Sequence, residues 1–214
     1  MIIGRQQFDL GEKMTRTDTP VGRPIVEEEE LRVLTQRYGE PLRRSFSLPV
    51  DESIRRFRFS PESDRRAEVV FAIQDPAGGI WVHAKRNYPR NLFRLPSGGI
   101  DWSEEVESAL LREISEETAL EVHVERFLGL LAYEFRDEGR SASFASYVFL
   151  VHSRGGIPRP QPAEAITEFR QVLPGQLLEI AADLRNLLGD RHAWGLWRAL
   201  AHELVYDSLT TGHR

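Results

Sequence analysis

The stretch Gly98 to Leu120, GGIDWSEEVESALLREISEETAL, constrains this chain more than any other. Two glycines in a predicted loop precede a long acidic helix, which we place at Ser103 to Thr118. Glu113, Glu116 and Glu117 stand at i, i+3 and i+4, so a helix brings their carboxylates to one face. Carboxylates at this spacing repel one another near a helix C-terminus, where the helix dipole also disfavours anions. The pattern therefore indicates a divalent-cation site, with a solvated charged face as the alternative.

Residues on both sides of the glutamates favour the cation site. Gly98 is followed after five residues by Glu104, and after seven more by the run REISEETAL from Arg112 to Leu120. This pattern resembles the signature of the Nudix hydrolases, which reads Gly, five residues, Glu, seven residues, Arg-Glu-aliphatic-any-Glu-Glu-any-Gly-aliphatic. Ala119 stands where the family has glycine. The substitution puts the left-handed helix exit in question, because alanine adopts that conformation only with strain, but it removes no ligand.

Composition excludes several classes of protein. The chain has 214 residues, 41% of them hydrophobic, which suits one domain of ordinary size with a modest extension. A net charge of −5 argues against binding to duplex nucleic acid. The absence of cysteine excludes disulfides, zinc-thiolate sites and thiol nucleophiles. We find no signal-peptide core and no apolar run of about eighteen residues, so we expect no membrane segment and a cytoplasmic location.

The N-terminal part, residues 1–66, is predicted to be an arm and an α+β extension outside the resemblance. Residues 1–24 show no hydrophobic period and suggest a loosely docked arm. Ile25 to Tyr38 reads as a helix whose four consecutive glutamates suit its first turn. Arg43 to Leu48 and Ile54 to Phe59 are expected to form short strands. Such an extension would support a homodimer or help to shape the pocket.

Residues 67–214 are predicted to form the domain that carries the motif. The expected elements are a hairpin from Ala67 to Arg86, a brief strand at Phe93 to Leu95, long strands at Glu121 to Arg136 and Ser143 to Ser153, a strand at Ile166 to Leu173, a helix from Pro174 to Leu188, and a final helix capped by Asp190 with Trp194 and Trp197 on its apolar side. This order agrees with the α/β/α sandwich with a mixed β-sheet that the resemblance implies.

The resemblance also implies a chemistry. Nudix enzymes hydrolyse a nucleoside diphosphate linked to another moiety, by attack of water on phosphorus. It therefore implies a metal-dependent pyrophosphohydrolase that uses Mg²⁺ or Mn²⁺, ions that favour oxygen ligands. Glu113 and Glu117 would be the first metal ligands, and Glu116 a further ligand or the base that activates water. Glu104 and Arg112 are expected to form an ion pair that orients the helix.

A distal acid is a second expectation from the family. Many members use an acid from the loop after the central strands as a metal ligand or as the catalytic base. Glu164 and Glu168 lie in that region, and we favour Glu164 because Glu168 falls near a strand. The base therefore stays open among Glu116, Glu164 and Glu168.

Substrate contacts are predicted from residues that flank the glycines Gly98 and Gly99. Arg86 and Arg94 are candidate phosphate clamps, because guanidinium groups match phosphate geometry, and Arg90 is an alternative. Trp102 is a candidate for stacking on a base, with packing as the alternative role. Tyr88 and Phe93 are further stacking candidates.

The substrate itself is less constrained. Residues that mark particular Nudix subfamilies are not evident, but an N-terminal extension with a β-rich core suits nucleotide-sugar pyrophosphatases. We therefore expect an ADP-ribose-like or sugar-nucleotide substrate. The alternative is a catalytically silent Nudix module that binds a nucleotide and a protein partner, which Ala119 and the arginine-rich N-terminal region leave open.

Overall fold

The computed structural model describes residues 24–60 and 65–210. Residues 1–23 of the predicted arm lie outside this part. The helices are α1 (Glu28–Tyr38), α2 (Glu52–Arg58), α3 (Val106–Thr118), α4 (Gln176–Arg185) and α5 (His192–Thr210). The strands are β1 (Leu42–Pro49), β2 (Arg65–Gln74), β3 (Ile80–Lys85), β4 (Ser97–Asp101), β5 (Val122–Asp137), β6 (Arg140–Ser153) and β7 (Ile166–Val172).

These strands form one mixed sheet of seven strands in the order β1-β5-β6-β2-β3-β7, with β4 paired to β2 off this path. β1 runs parallel to β5 and β2 parallel to β6, whereas the remaining pairs are antiparallel. The predicted hairpin of β2 and β3 is present. The turn between β5 and β6 contains Gly139, whose φ of 74° favours glycine. The predicted α/β class with a mixed sheet is confirmed.

Side chains alternate across the sheet and so build two cores. Along β2, Val69 and Phe71 pack under α1 and α3, whereas Val70 and Ala72 pack under the layer formed by α2, α4 and α5. Trp197 of α5 is almost fully buried in the second core, as its predicted apolar side requires. None of the described helices combines the length and apolar sequence needed to cross a membrane.

The N-terminal extension is joined to the sheet and to α3. β1 adds an edge strand next to β5. Tyr38 at the end of α1 donates a hydrogen bond of 2.6 Å to Glu107 of α3, and Arg37 contacts the same carboxylate. The extension therefore contacts the helix that carries the predicted metal ligands. The division of the chain at residue 66 stays a prediction.

The prediction of a strand at Ile54–Phe59 was wrong, because this segment is helix α2. Asp51 accepts a hydrogen bond of 2.9 Å from the Ile54 backbone N–H, which caps the helix. Ile54 and Arg58, four residues apart, are the buried positions of α2. The buried positions of this segment therefore follow the spacing of a helix, whereas the prediction had assumed the alternation of a strand.

The expected cap of the last helix was also wrong. Asp51 accepts backbone N–H groups from Ala193 at 2.6 Å and from Trp194 at 3.2 Å, in the first turn of α5. Asp190 instead lies in the short 3₁₀ turn Gly189–Arg191. One aspartate therefore caps two helices, because the fold brings residue 51 to a helix that begins far away in the sequence.

Three further segments differ from expectation. Gly98 and Gly99 belong to strand β4, opposite Val69 and Glu68 of β2, rather than to a loop. The segment Phe93–Leu95 makes only a single bridge, between Arg94 and His83. The acidic helix begins at Val106 and not at Ser103, since Glu30 of α1 accepts the Val106 N–H at 2.8 Å and fixes the first turn there.

Candidate active site

On helix α3, two of the three candidate metal ligands point into the protein interior. Glu117 is fully buried and Glu113 is 8% exposed, whereas Glu116 stays half-buried at the side of the helix. This follows from the helical period, because positions 113 and 117 lie four residues apart and face the sheet together. Burial raises the pKa of Glu117 to about 7 against the opposing charges of Lys85 and Arg94. Burial also raises the pKa of Glu113, against Arg112.

Arg112 connects the acidic residues of the motif. Its guanidinium contacts Glu104 at 2.8 and 2.9 Å, Glu113 at 2.8 Å and Glu116 at 3.0 Å, and it donates to the Gly99 carbonyl at 3.0 Å. The predicted ion pair between Glu104 and Arg112 is therefore present. It ties the start of the motif to the helix and to β4.

Strand β3 contributes two residues that the sequence interpretation did not select, His83 and Lys85. They lie two residues apart and so share one face of the strand. Lys85 Nζ is 2.8 Å from Glu117 Oε1 and 3.2 Å from Glu164 Oε2. His83 Nδ1 is 3.9 Å from Glu117 Oε2. One sequence signal was available: the chain has two lysines, Lys13 and Lys85, against many arginines.

The loop before β7 brings Glu164 to the site through Lys85. Glu164 ends the 3₁₀ turn Pro162–Glu164, and the next residue, Ala165, accepts the backbone N–H of Arg86 at 2.9 Å. Glu168, by contrast, is exposed on β7 and pairs with Arg170 at 3.4 Å. The fold therefore joins Glu164, and not Glu168, to the buried carboxylates.

The predicted substrate-binding residues are spread around the site. Arg94 is buried and donates to the Leu95 carbonyl at 3.0 Å and to Ser97 Oγ at 2.6 Å, so these donors are used within the protein. Arg86 is exposed. Trp102 is half-buried and packs against the core under α3, which matches the alternative packing role.

The stacking candidates Phe93 and Tyr88 pack against other side chains of the protein. Phe93 is buried beneath the Arg170 guanidinium, 4.0 Å from its ring centre. Tyr88 packs near Trp194, with ring centres 5.5 Å apart. Tyr88 also lies next to His83, with ring centres 6.4 Å apart, so it is the stacking candidate nearer to Glu117.

The donor set fits a hard divalent cation. Glu117 Oε2 has no hydrogen-bond partner among the described residues, whereas Oε1 pairs with Lys85 at 2.8 Å. Buried carboxylate oxygens without hydrogen bonds are costly unless a cation satisfies them. Within the described ranges, no three His, Asp or Glu side chains are already gathered around one point. Glu113 and Glu117 would hold the ion, with Glu116 and Glu164 next to them.

Gly98 is the residue that lets Glu113 approach β4. A Cβ atom at position 98 would lie 1.7 Å from Glu113 Cδ, which no real contact allows. We expect Gly98→Ala to push the Glu113 carboxylate aside and to lower any metal-dependent turnover about tenfold or more, since small displacements of reacting groups are costly. The measurement is the steady-state rate at saturating metal, with the melting temperature recorded in parallel.

The neighbouring glycine supplies the control for this prediction. A Cβ at position 99 would meet the flexible side chain of Arg65 at 2.4 Å, and a Cβ at Gly175 would meet nothing within 4 Å. Gly99→Ala and Gly175→Ala should therefore keep most of the rate. Equal losses in Gly98→Ala and Gly99→Ala would contradict the proposed contact with Glu113.

Ala119, which stands where the motif has glycine, shows how the helix ends without that glycine. It adopts the left-handed conformation, with φ 52° and ψ 21°, and donates its N–H to the Ser115 carbonyl at 3.0 Å. The helix exit therefore keeps the geometry for which glycine is favoured, at the cost of strain. We expect Ala119→Gly to raise the free energy of unfolding by about 0.5–1 kcal/mol, measured by urea denaturation. Ala109→Gly, within the same helix, should lower it; a decrease for both would refute this assignment of strain.

Comparison with known proteins adds four similarities, one to a family model and three to individual proteins. The NUDIX domain model matches residues 64–190. An ADP-ribose pyrophosphatase from Methanocaldococcus jannaschii is 30% identical over 115 residues, which cover 54% of this chain and 66% of that protein, just under two thirds of its length.

Two solved structures are similar as well. An ADP-ribose pyrophosphatase from Streptococcus suis shares 18% identity over 69% of this chain and 93% of its own, with a TM-score of 0.45. A MutT NUDIX hydrolase from Burkholderia pseudomallei shares 25% identity over 66% of this chain and 97% of its own, with a TM-score of 0.43.

Proposed function

The chain belongs to the Nudix family, and from that membership we propose that it hydrolyses a phosphoric anhydride bond in a nucleotide-linked small molecule with the help of Mg²⁺ or Mn²⁺. The observation that carries the proposal is the pair of inward-turned carboxylates, Glu113 and Glu117, on the motif helix. Two acids buried side by side destabilise a fold unless they bind a cation or share protons. A catalytic cation site accounts for them.

Each residue of the candidate active site has a separate role in the proposed hydrolysis. A bound divalent ion supplies charge neutralisation for the diphosphate and lowers the pKa of water. Glu113 and Glu117 hold it, and Arg112 fixes Glu113 by an ion pair of 2.8 Å. Lys85 keeps a positive charge beside Glu117 and Glu164. Arg86, on the exposed side of the same strand end, is our candidate for binding substrate phosphate.

Glu164 and Glu116 are the candidates for the base that takes a proton from the attacking water. Glu116 Oε2 is 3.0 Å from Arg112, which also holds Glu104 and Glu113. Glu164 has one ion pair, to Lys85, and comes from a loop instead of the crowded helix. We therefore favour Glu164 as the base and Glu116 as a further ligand.

The substrate we propose is ADP-ribose or a related sugar nucleotide. Support comes from the similarity to the ADP-ribose pyrophosphatase of M. jannaschii and from the N-terminal extension predicted in the sequence. We further propose a cytoplasmic protein that acts on small nucleotides and not on duplex nucleic acid. The homodimer stays a prediction, which sedimentation of the purified chain would test.

A substrate screen tests the proposed activity. Purified protein with Mg²⁺ or Mn²⁺ would be assayed against ADP-ribose, sugar nucleotides, nucleoside triphosphates and dinucleoside polyphosphates. We expect turnover of ADP-ribose or a sugar nucleotide that depends on added metal. Nucleotide binding without turnover on any of them would instead support a catalytically silent module that binds a nucleotide and a protein partner.

A further inference from the structure

His83 and Glu117 form an unusual buried pair. Both side chains are 0% exposed, and His83 Nδ1 faces Glu117 Oε2 at 3.9 Å. Neither ring nitrogen of His83 has a hydrogen-bond partner among the described residues, and the same holds for Glu117 Oε2, whereas Glu117 Oε1 pairs with Lys85 at 2.8 Å. The two atoms that face each other, His83 Nδ1 and Glu117 Oε2, are thus buried without a hydrogen bond.

Such a pair requires an explanation, because leaving a buried polar group without a partner destabilises a fold. His202 provides the comparison, since it is a second buried histidine in the same part of the fold. Its Nε2 accepts the Leu95 backbone N–H at 2.9 Å, and its Nδ1 donates to the Arg198 carbonyl at 2.9 Å. The protein therefore provides partners for one buried histidine and none for the other.

The separation of 3.9 Å is informative. It is too long for a hydrogen bond between nitrogen and oxygen. It is short enough for one ion to contact both atoms, since metal bonds to histidine nitrogen and carboxylate oxygen are each about 2.0–2.2 Å long. The opposite oxygen of Glu117 pairs with Lys85, so a cation at Oε2 would not have to displace the ammonium group.

The strand geometry supports this arrangement. His83 and Lys85 alternate along β3 and so point to the same side, toward Glu117 of α3. The His83 backbone is bridged to Arg94 on one side, with N–O distances of 2.9 and 3.0 Å, and lies opposite Phe169 of β7 on the other. The imidazole is therefore presented to Glu117 by a fixed backbone.

We propose that His83 is a nitrogen ligand of the divalent ion held by Glu117, and that it makes this site prefer a first-row transition ion such as Mn²⁺ or Co²⁺ over Mg²⁺. The inference rests on the proposed function, from which the cation site is taken. Imidazole is a ligand suited to transition ions, whereas Mg²⁺ binds oxygen almost exclusively in proteins. A mixed nitrogen and oxygen site therefore selects between the two ion classes.

The direct test is electron spin echo spectroscopy of the full chain loaded with Mn²⁺. We expect modulation from a directly bound ¹⁴N nucleus, replaced by the ¹⁵N pattern when the protein is grown with ¹⁵N-labelled histidine. This comparison uses the unaltered sequence, so a variant that fails to fold cannot obscure it. Bound Mn²⁺ without nitrogen modulation would overturn the inference and leave the carboxylate site of the proposed function intact.

Two matched variants test which histidine supplies the nitrogen ligand. His83→Gln should lose the nitrogen modulation, whereas His202→Gln should keep it. In competition titrations, His83→Gln should also lower the ratio of Mn²⁺ to Mg²⁺ affinity about tenfold, an effect typical of altered metal surroundings. Modulation that survives His83→Gln would overturn the inference. Unaltered protein that binds no Mn²⁺, with or without nucleotide, would refute the proposed function together with it.

Discussion

Glu117→Gln is expected to lower the turnover number at least about a hundredfold, since the stabilisation of transition-state charge by a held cation is worth several kcal/mol. Glutamine keeps the size of the side chain but removes the negative charge with which Glu117 would hold the proposed cation. Glu117 is fully buried, so solvent cannot replace the lost ligand. The measurement is the rate at saturating Mg²⁺ or Mn²⁺, together with the affinity of the protein for Mn²⁺.

Glu168→Gln is the matched control for this prediction. Glu168 lies on β7 and is close in sequence to Glu164, but it is exposed and pairs with Arg170. We expect its rate to stay close to that of the unaltered protein. The assignment of the motif would be wrong if Glu117→Gln kept its turnover, or if turnover needed no divalent ion at all.

Glu30→Gln is expected to lower the free energy of unfolding by about 3–5 kcal/mol, the usual cost of leaving one partner of a buried ion pair alone. Arg66 is fully buried, and its Nη2 is 2.9 and 3.0 Å from the two oxygens of Glu30. The same carboxylate accepts the Val106 N–H at the start of α3. Without that charge, the Arg66 guanidinium would face neutral acceptors, among them the carbonyl groups of Ile25 and Glu104. The loss in the free energy of unfolding would be measured by urea denaturation, and an unchanged m-value would show that only stability has changed.

Glu29→Gln is a close control, because residue 29 belongs to the same run of four glutamates. Its side chain is 73% exposed and pairs with Arg32, which is 58% exposed. Exposed pairs of this kind contribute little because water screens their charges, so we expect little change in the free energy of unfolding. Similar losses in both variants would show that the burial of Arg66 does not set the cost.

Glu29 and Glu30 also show why the burial of α1 could not be predicted from the sequence. Four adjacent acids suit a helix N-terminus, and that interpretation describes Glu28 and Glu29 well. It gave no sign that Glu30 would be buried against Arg66, which lies 36 residues away. Burial depends on how α1 packs beside α3, and local spacing contains no information on that packing.

The active-site prediction divides in the same way. Spacing alone brought Glu113 and Glu117 to one face, and the motif supplied Glu104 and Arg112, which the structure joins. His83 and Lys85 were missed, because a histidine and a lysine in an apolar strand look unremarkable until their opposite helix is known. Arg94 was selected for its charge, but the fold uses its donors internally.

Sequence by itself determined the family, the class of fold, the hairpin of β2 and β3, and the shared helix face of Glu113 and Glu117. Each of these follows from local periodicity or from fixed spacing within some twenty residues, which a helix or strand converts directly into geometry. Tertiary structure alone decided that Asp51 caps α5, that Glu30 neutralises Arg66, and that His83 faces Glu117. These contacts join residues distant in sequence, and they form only when the layers pack and water is excluded between them.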